Sequence, residues 1–179
     1  TVQLAAAGTP LTAAAGAPVP TYTQADVKAF ARALTGWTYA PYDAPQAKGP
    51  NDDRYYARNM VARENRHDTG SKTLLKGVVA PAGQSAAADV DLVLANLFLH
   101  PNVGPFVAQH LIRQLVSSNP SPAYVKRVAA AFADNGAGVR GDLKAVVRAT
   151  LLDPEARGDV KTDATYGMLR EPVLFVTAL

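Results

Sequence analysis

Apolar positions along this 179-residue chain recur at helical spacing in several separate stretches, and the residues between them carry helix start and stop signals. Thr23-Gln24-Ala25-Asp26 has the form of a capping box. Val27, Phe30, Ala31 and Leu34 follow at helical intervals, and Gly36 supplies the stop. From Ser85, a good cap, Val90, Val93, Leu94, Leu97 and Phe98 make one apolar stripe that Pro101 halts. Asn102 then caps a helix with Pro105 in its first turn and Phe106, Val107, Leu111 and Leu115 as the buried stripe. The next helix starts at Ser121-Pro122, buries Val125, Val128, Ala129 and Phe132, and ends near Asn135-Gly136. Another begins at Gly141-Asp142, places Leu143, Val146, Val147, Thr150 and Leu151 on one side, and stops at Asp153-Pro154; a last one starts at Glu171-Pro172.

Residues 37–84 break this rhythm. Pro41, Pro45, Gly49, Pro50, Gly70, Gly77, Pro81 and Gly83 are too many breakers for a long helix, and the stretch is too long for a mere connection. A short helix with an Arg-rich face is expected over residues 53–64, and Lys76-Gly77-Val78-Val79 reads as a strand or extended piece. The expectation is an all-α fold: an irregular bundle of five or six helices with one long ordered loop at 37–84 and little or no β structure. An extended Ala-, Gly- and Pro-rich segment occupies residues 1–20, and a single helical domain follows over 21–179. We find no internal repeat. The start without methionine and the stop inside an apolar pattern read as a fragment of a larger chain.

Composition narrows the partners. The 48% hydrophobic content is enough to close a core. Net charge is +3, with 18 basic residues scattered rather than massed, so no nucleic-acid partner is expected. Without cysteine there is no disulfide, thiolate metal site or cysteine nucleophile. No apolar run reaches the roughly 20 residues of a membrane span.

The densest chemistry lies in His67-Asp68-Thr69-Gly70-Ser71-Lys72-Thr73-Leu74-Leu75. Read as a site, it makes His67 a base or ligand, Asp68 an orienting carboxylate and Lys72 an anion binder, brought together by a turn at Gly70. Read as structure, Asp68 bonds its own turn, His67 closes the loop against a helix end, and Lys72 pairs with an acid. His67, His100 and His110, with Asp26, Asp68, Asp89 and Asp91, could supply metal ligands. Their spacing includes no pair four apart on one helix, so no metal and no cofactor are expected. His110 reads as a partly buried packing residue, and His100 as a helix C-terminal imidazole suited to the dipole. There is no Gly-x-Ser-x-Gly elbow, and Gly138-Val139-Arg140-Gly141-Asp142 lacks the lysine of a phosphate loop. Trp37, Tyr39, Tyr42, Tyr55 and Tyr56, among Arg54, Arg58, Arg63 and Arg66, suit stacking on a glycan or contact with a protein. The alternative is that Trp37 anchors the first helix and the tyrosines cover the loop. The expected binding residues are Trp37, Arg54, Tyr55, Tyr56 and Arg58.

Tyr22-Thr23-Gln24-Ala25-Asp26-Val27, Ala31-Arg32-Ala33-Leu34-Thr35-Gly36-Trp37, the His67 to Leu75 block, Leu99-His100-Pro101 and Arg170-Glu171-Pro172 together resemble the ordered motifs of the bacterial domain-of-unknown-function 1800 family. The resemblance implies the C-terminal portion of a longer exported protein, periplasmic or secreted, with a helical N-terminal half as its natural partner. It implies no activity, substrate or cofactor. Two readings stay open: a helical interaction module whose 37–84 loop is the contact surface for a protein or glycan, and a hydrolase-type enzyme centred on His67, Asp68 and Lys72.

Overall fold

The Thr23 capping box forms. Thr23 Oγ1 accepts from Asp26 N–H while the Asp26 carboxylate accepts from Thr23 N–H, and this starts helix α1, Gln24–Ala33. The computed structural model describes residues 3–14, 16–40, 58–158, 166–168 and 171–177. After α1 come β1 (Trp37–Thr38), β2 (Val61–Ala62), β3 (Lys72–Thr73), β4 (Val79–Ala80), α2 (Ala86–Phe98), α3 (Val103–Leu115), α4 (Pro122–Ala133), α5 (Leu143–Leu152), α6 (Pro154–Arg157) and α7 (Pro172–Val176). Among the described residues the chain is therefore mostly helical, with two small two-stranded antiparallel sheets, β1–β2 and β3–β4, inside the expected loop. Their registers pair Trp37 with Ala62 and Lys72 with Ala80.

The chain divides into two compact units, Tyr22–His100 and Thr1–Thr21 with Pro101–Leu179. In the first, Ala29 and Ala33 of α1, Leu74 and Val93 of α2 form the core, with Phe30 and Leu92 packed on it. This corrects two expected faces. Val27 and Leu34 are exposed, as are Leu94, Leu97 and Phe98, because α2 turns Ala86, Asp89 and Val93 inward instead. Within the expected 53–64 helix, the described part holds strand β2 followed by a 3-10 turn at Glu64–Arg66; residues 53–57 lie outside the described residues. The run Lys76–Val79, expected as a strand or extended piece, is instead the turn of a hairpin followed by the start of its second strand. Lys76 (φ 60°, ψ 22°) and Gly77 (φ 73°) occupy the two left-handed positions of its turn.

In the second unit, Ala108 and Ile112 of α3 pack on Tyr124, Val125, Val128, Ala129 and Phe132 of α4 and Val146 of α5. The α4 face is as its pattern predicts. On α3 the buried line is Gly104, Pro105, Ala108 and Ile112, whereas Phe106 and Leu115 are exposed. Asn102 does not cap α3 with its side chain. Its Oδ1 accepts from Leu4 N–H (2.9 Å), and its Nδ2 donates to Thr21 Oγ1 (3.2 Å). Asp153-Pro154, read as a stop, also starts α6: Asp153 accepts from Glu155 N–H and receives a two-pronged Arg127 guanidinium at 2.7 Å on both oxygens. Buried Tyr124 donates to Thr150 O (2.5 Å), tying α4 to α5.

The N-terminal segment does contain a repeat. Leu4 to Pro10 and Thr12 to Pro18 form successive turns eight residues apart, each closed by an antiparallel bridge. Gln3 N–H bonds Val19 O, Leu11 N–H bonds Gln3 O, and Val19 N–H bonds Leu11 O, a ring of three equivalent positions. Gly8 O, in the first turn, accepts from Gln109 Nε2 of α3 (3.0 Å).

Candidate functional site

The His67 to Leu75 block is assembled by the three segments around it. At the end of α1, the Thr35 hydroxyl donates to Arg32 O (2.7 Å) and accepts from Asp68 N–H (2.8 Å). Thr35 O lies 3.0 Å from His67 Nδ1, and because a carbonyl only accepts, that nitrogen carries the proton. Gly36 then turns the chain with φ 86°. A Cβ at Gly36 would stand 2.9 Å from Arg63 O and 3.2 Å from His67 N, so the position excludes any larger residue on two grounds.

His67, Lys72 and Asp89 meet inside. Asp89 Oδ2 lies 2.6 Å from Lys72 Nζ and 3.2 Å from His67 Nε2, and the three side chains are 0–1% exposed. Neither Asp89 oxygen has a hydrogen-bond partner, and the carboxylate is held by its ion pair with Lys72. Lys72 Nζ also donates to Asp68 O and to Gly70 O (3.0 Å), so the sealed ammonium is surrounded by oxygen on three sides. Asp89 sits in the first turn of α2, where the backbone N–H groups favour a negative charge. Glu64 reinforces that end: its carboxylate accepts from Ala86 N–H at 3.1 and 3.3 Å, beside the Ser85 cap.

Asp68 faces outward and is saturated. Arg32 Nε and Nη2 donate to its two oxygens at 2.7 and 3.0 Å, and Gly70 N–H adds 2.9 Å. The Arg32 hydrogen bonds, then that of Gly70, hold the Asp68 carboxyl well below the usual carboxylate range. Gly70 is not a left-handed turn residue. It is small because Arg32 Nη2 would lie 2.6 Å from a Cβ there, so the guanidinium passes over the bare backbone.

Of the sequence-predicted site residues, the structure brings His67 and Lys72 together and leaves Asp68 to Arg32. Sequence reasoning named Asp89 only as one oxygen donor among several. Its signal was position: Ala86, Asp89 and Val93 share one helical face, and a charge on a buried stripe needs a buried partner. His100 and His110 stand apart from the cluster. His110 is exposed, not partly buried as expected, and its ring lies tilted against Phe106 at 4.5 Å. His100 is buried at the end of α2, and burial, then the Lys76 charge, lowers its pKa; the expected dipole-stabilised imidazolium is disfavoured. Among the described residues, no three His, Asp or Glu side chains converge as metal ligands. Trp37 is half-buried on β1 and Arg58 is exposed, whereas Arg54, Tyr55 and Tyr56 lie outside the described residues.

The paired Thr35-Gly36-Trp37 and His67-Asp68 blocks, now seen to clasp each other, are part of a longer match: the family model for DUF1800, a protein of unknown function, covers residues 9–179. The chain belongs to the DUF1800 family. No curated protein and no solved structure matches it. In this DUF1800 chain no single helix among the described residues is long and apolar enough to cross a membrane.

Proposed function

We propose that residues 22–100 are a protein-binding surface, presented outside the cytoplasm, whose pocket takes an apolar side chain of a partner polypeptide. The observation that carries this reading is an open pocket of about 480 Å³ between the β1–β2 strand pair and the two helices, lined by Leu34, Trp37, Asn59, Met60 and Val90. Leu34 and Met60 are each 49% exposed, a state in which large apolar groups gain by being covered. Trp37 gives the pocket a rigid aromatic wall of the kind that anchors protein contacts. The alternative hydrolase reading draws no support from the cluster, since His67 and Lys72 offer a substrate almost no surface. The N-terminal half implied by the family resemblance is the first polypeptide to test.

Selection from a displayed random-peptide library tests the proposal. Peptides sharing one large apolar residue should be enriched by the protein and lost on Met60→Asp, with helical circular dichroism unchanged. Enriched peptides that bind the variant equally well, or a glycan bound at this pocket in preference to peptides, would overturn it.

A further inference from the structure

A second pocket in the same unit differs from the first in carrying a charge. It is a recess of about 210 Å³, lined by Val78 of the hairpin, Leu92, Ala95 and Asn96 of α2, Leu99 and Lys76. That volume suits one large apolar residue. Lys76 is exposed at its edge and has no ion-pair partner among the described residues, so its ammonium is available to an anion. The turn fixes where it stands: Lys76 is the only described non-glycine residue with positive φ, and Asn96 Nδ2 pins the turn by donating to Leu75 O (3.0 Å).

We infer that this recess binds the C-terminus of a polypeptide ending in a large apolar residue. The carboxylate pairs with Lys76 Nζ, and the last side chain lies against Val78, Leu92, Ala95 and Leu99. An apolar surface beside one positioned cation matches the side chain and carboxylate that a chain end carries on one residue and an internal apolar residue does not. The inference goes beyond the pocket at Trp37 and does not depend on it.

Fluorescence polarisation with labelled octapeptides ending in Leu or Phe tests it, comparing free-acid and C-terminally amidated forms. The free acid should bind, and the amide should bind about two- to fivefold more weakly, the loss of a modest exposed charge pair. Lys76→Gly should cause the same loss while keeping the hairpin, since glycine accepts the left-handed conformation, and Met60→Asp should change nothing. In an NMR titration, saturation with the free acid should raise the His100 pKa, because the bound carboxylate offsets the Lys76 charge that helps lower it. No binding of the free acid, equal binding of acid and amide, or unchanged binding by Lys76→Gly would each overturn the inference. None of these outcomes bears on peptides selected at the Trp37 pocket.

Discussion

Taking an ammonium out of water costs several kcal/mol unless its charge and protons are met, and at Lys72 they are met by Asp89 and two carbonyls. Removing one partner leaves the other stranded. Lys72→Met should therefore cost roughly 3–5 kcal/mol in urea denaturation, and adding Asp89→Leu should recover much of that by removing the buried carboxylate as well. If the double variant is as unstable as the single, the cluster contributes something other than charge balance. Asp68 tests the outer pair. Its folded pKa is depressed, so the Arg32 interaction contributes stability above the ordinary aspartate value, lost only as pH falls through the lower folded value. By NMR, the Asp68 carboxyl should stay ionised while other aspartates titrate, and Arg32→Ala should return it towards their range. The motif itself was legible in the sequence as a polar block. Its partners were not, because Asp89 and Thr35 lie 22 and 32 positions from His67, and one chain read in order gives no register for such pairs.

At the level of elements, what the sequence showed depended on how many signals agreed. Helix α4 has a cap at Ser121, Pro122 in its first turn and an unbroken apolar face, and it folds as read. Helices α2 and α3 were read as helices with inner faces that are right only in part: Val93, Val107 and Leu111 do pack on the cores. Close packing selects the small residues Ala86, Gly104 and Ala108, while Leu94, Phe98 and Phe106 turn outward. The strands have two residues each, too short for alternation to register. The β1 turn yields a test. Gly36→Ala combines a left-handed conformation with a 2.9 Å approach to Arg63 O and should lower stability by about 1–3 kcal/mol. Gly70→Ala meets the ends of the Arg32 and Asp68 side chains and no backbone, so thermal melts should show a smaller loss, accompanied by a rise in the Asp68 pKa.

At the scale of the molecule, the two separate sets of buried side chains among the described residues imply two sets of slowly exchanging amides. Ile112, Val128 and Val146 belong to one; Ala33, Leu74 and Val93 belong to the other. Hydrogen exchange on Asp89→Ala should show faster exchange confined to residues 22–100, and a uniform loss across both sets would show that the units open together. The sealed lysine also turns the protein into its own gauge of that opening. An amine-directed acylating reagent reaches the exposed Lys28, Lys76 and Lys144, yet finds no surface at Lys72. Acylation of Lys72 can therefore proceed only during the moments when the 67–73 segment lifts away from α2. Its rate, read by mass spectrometry against the other lysines, clocks that single motion in the unmutated protein.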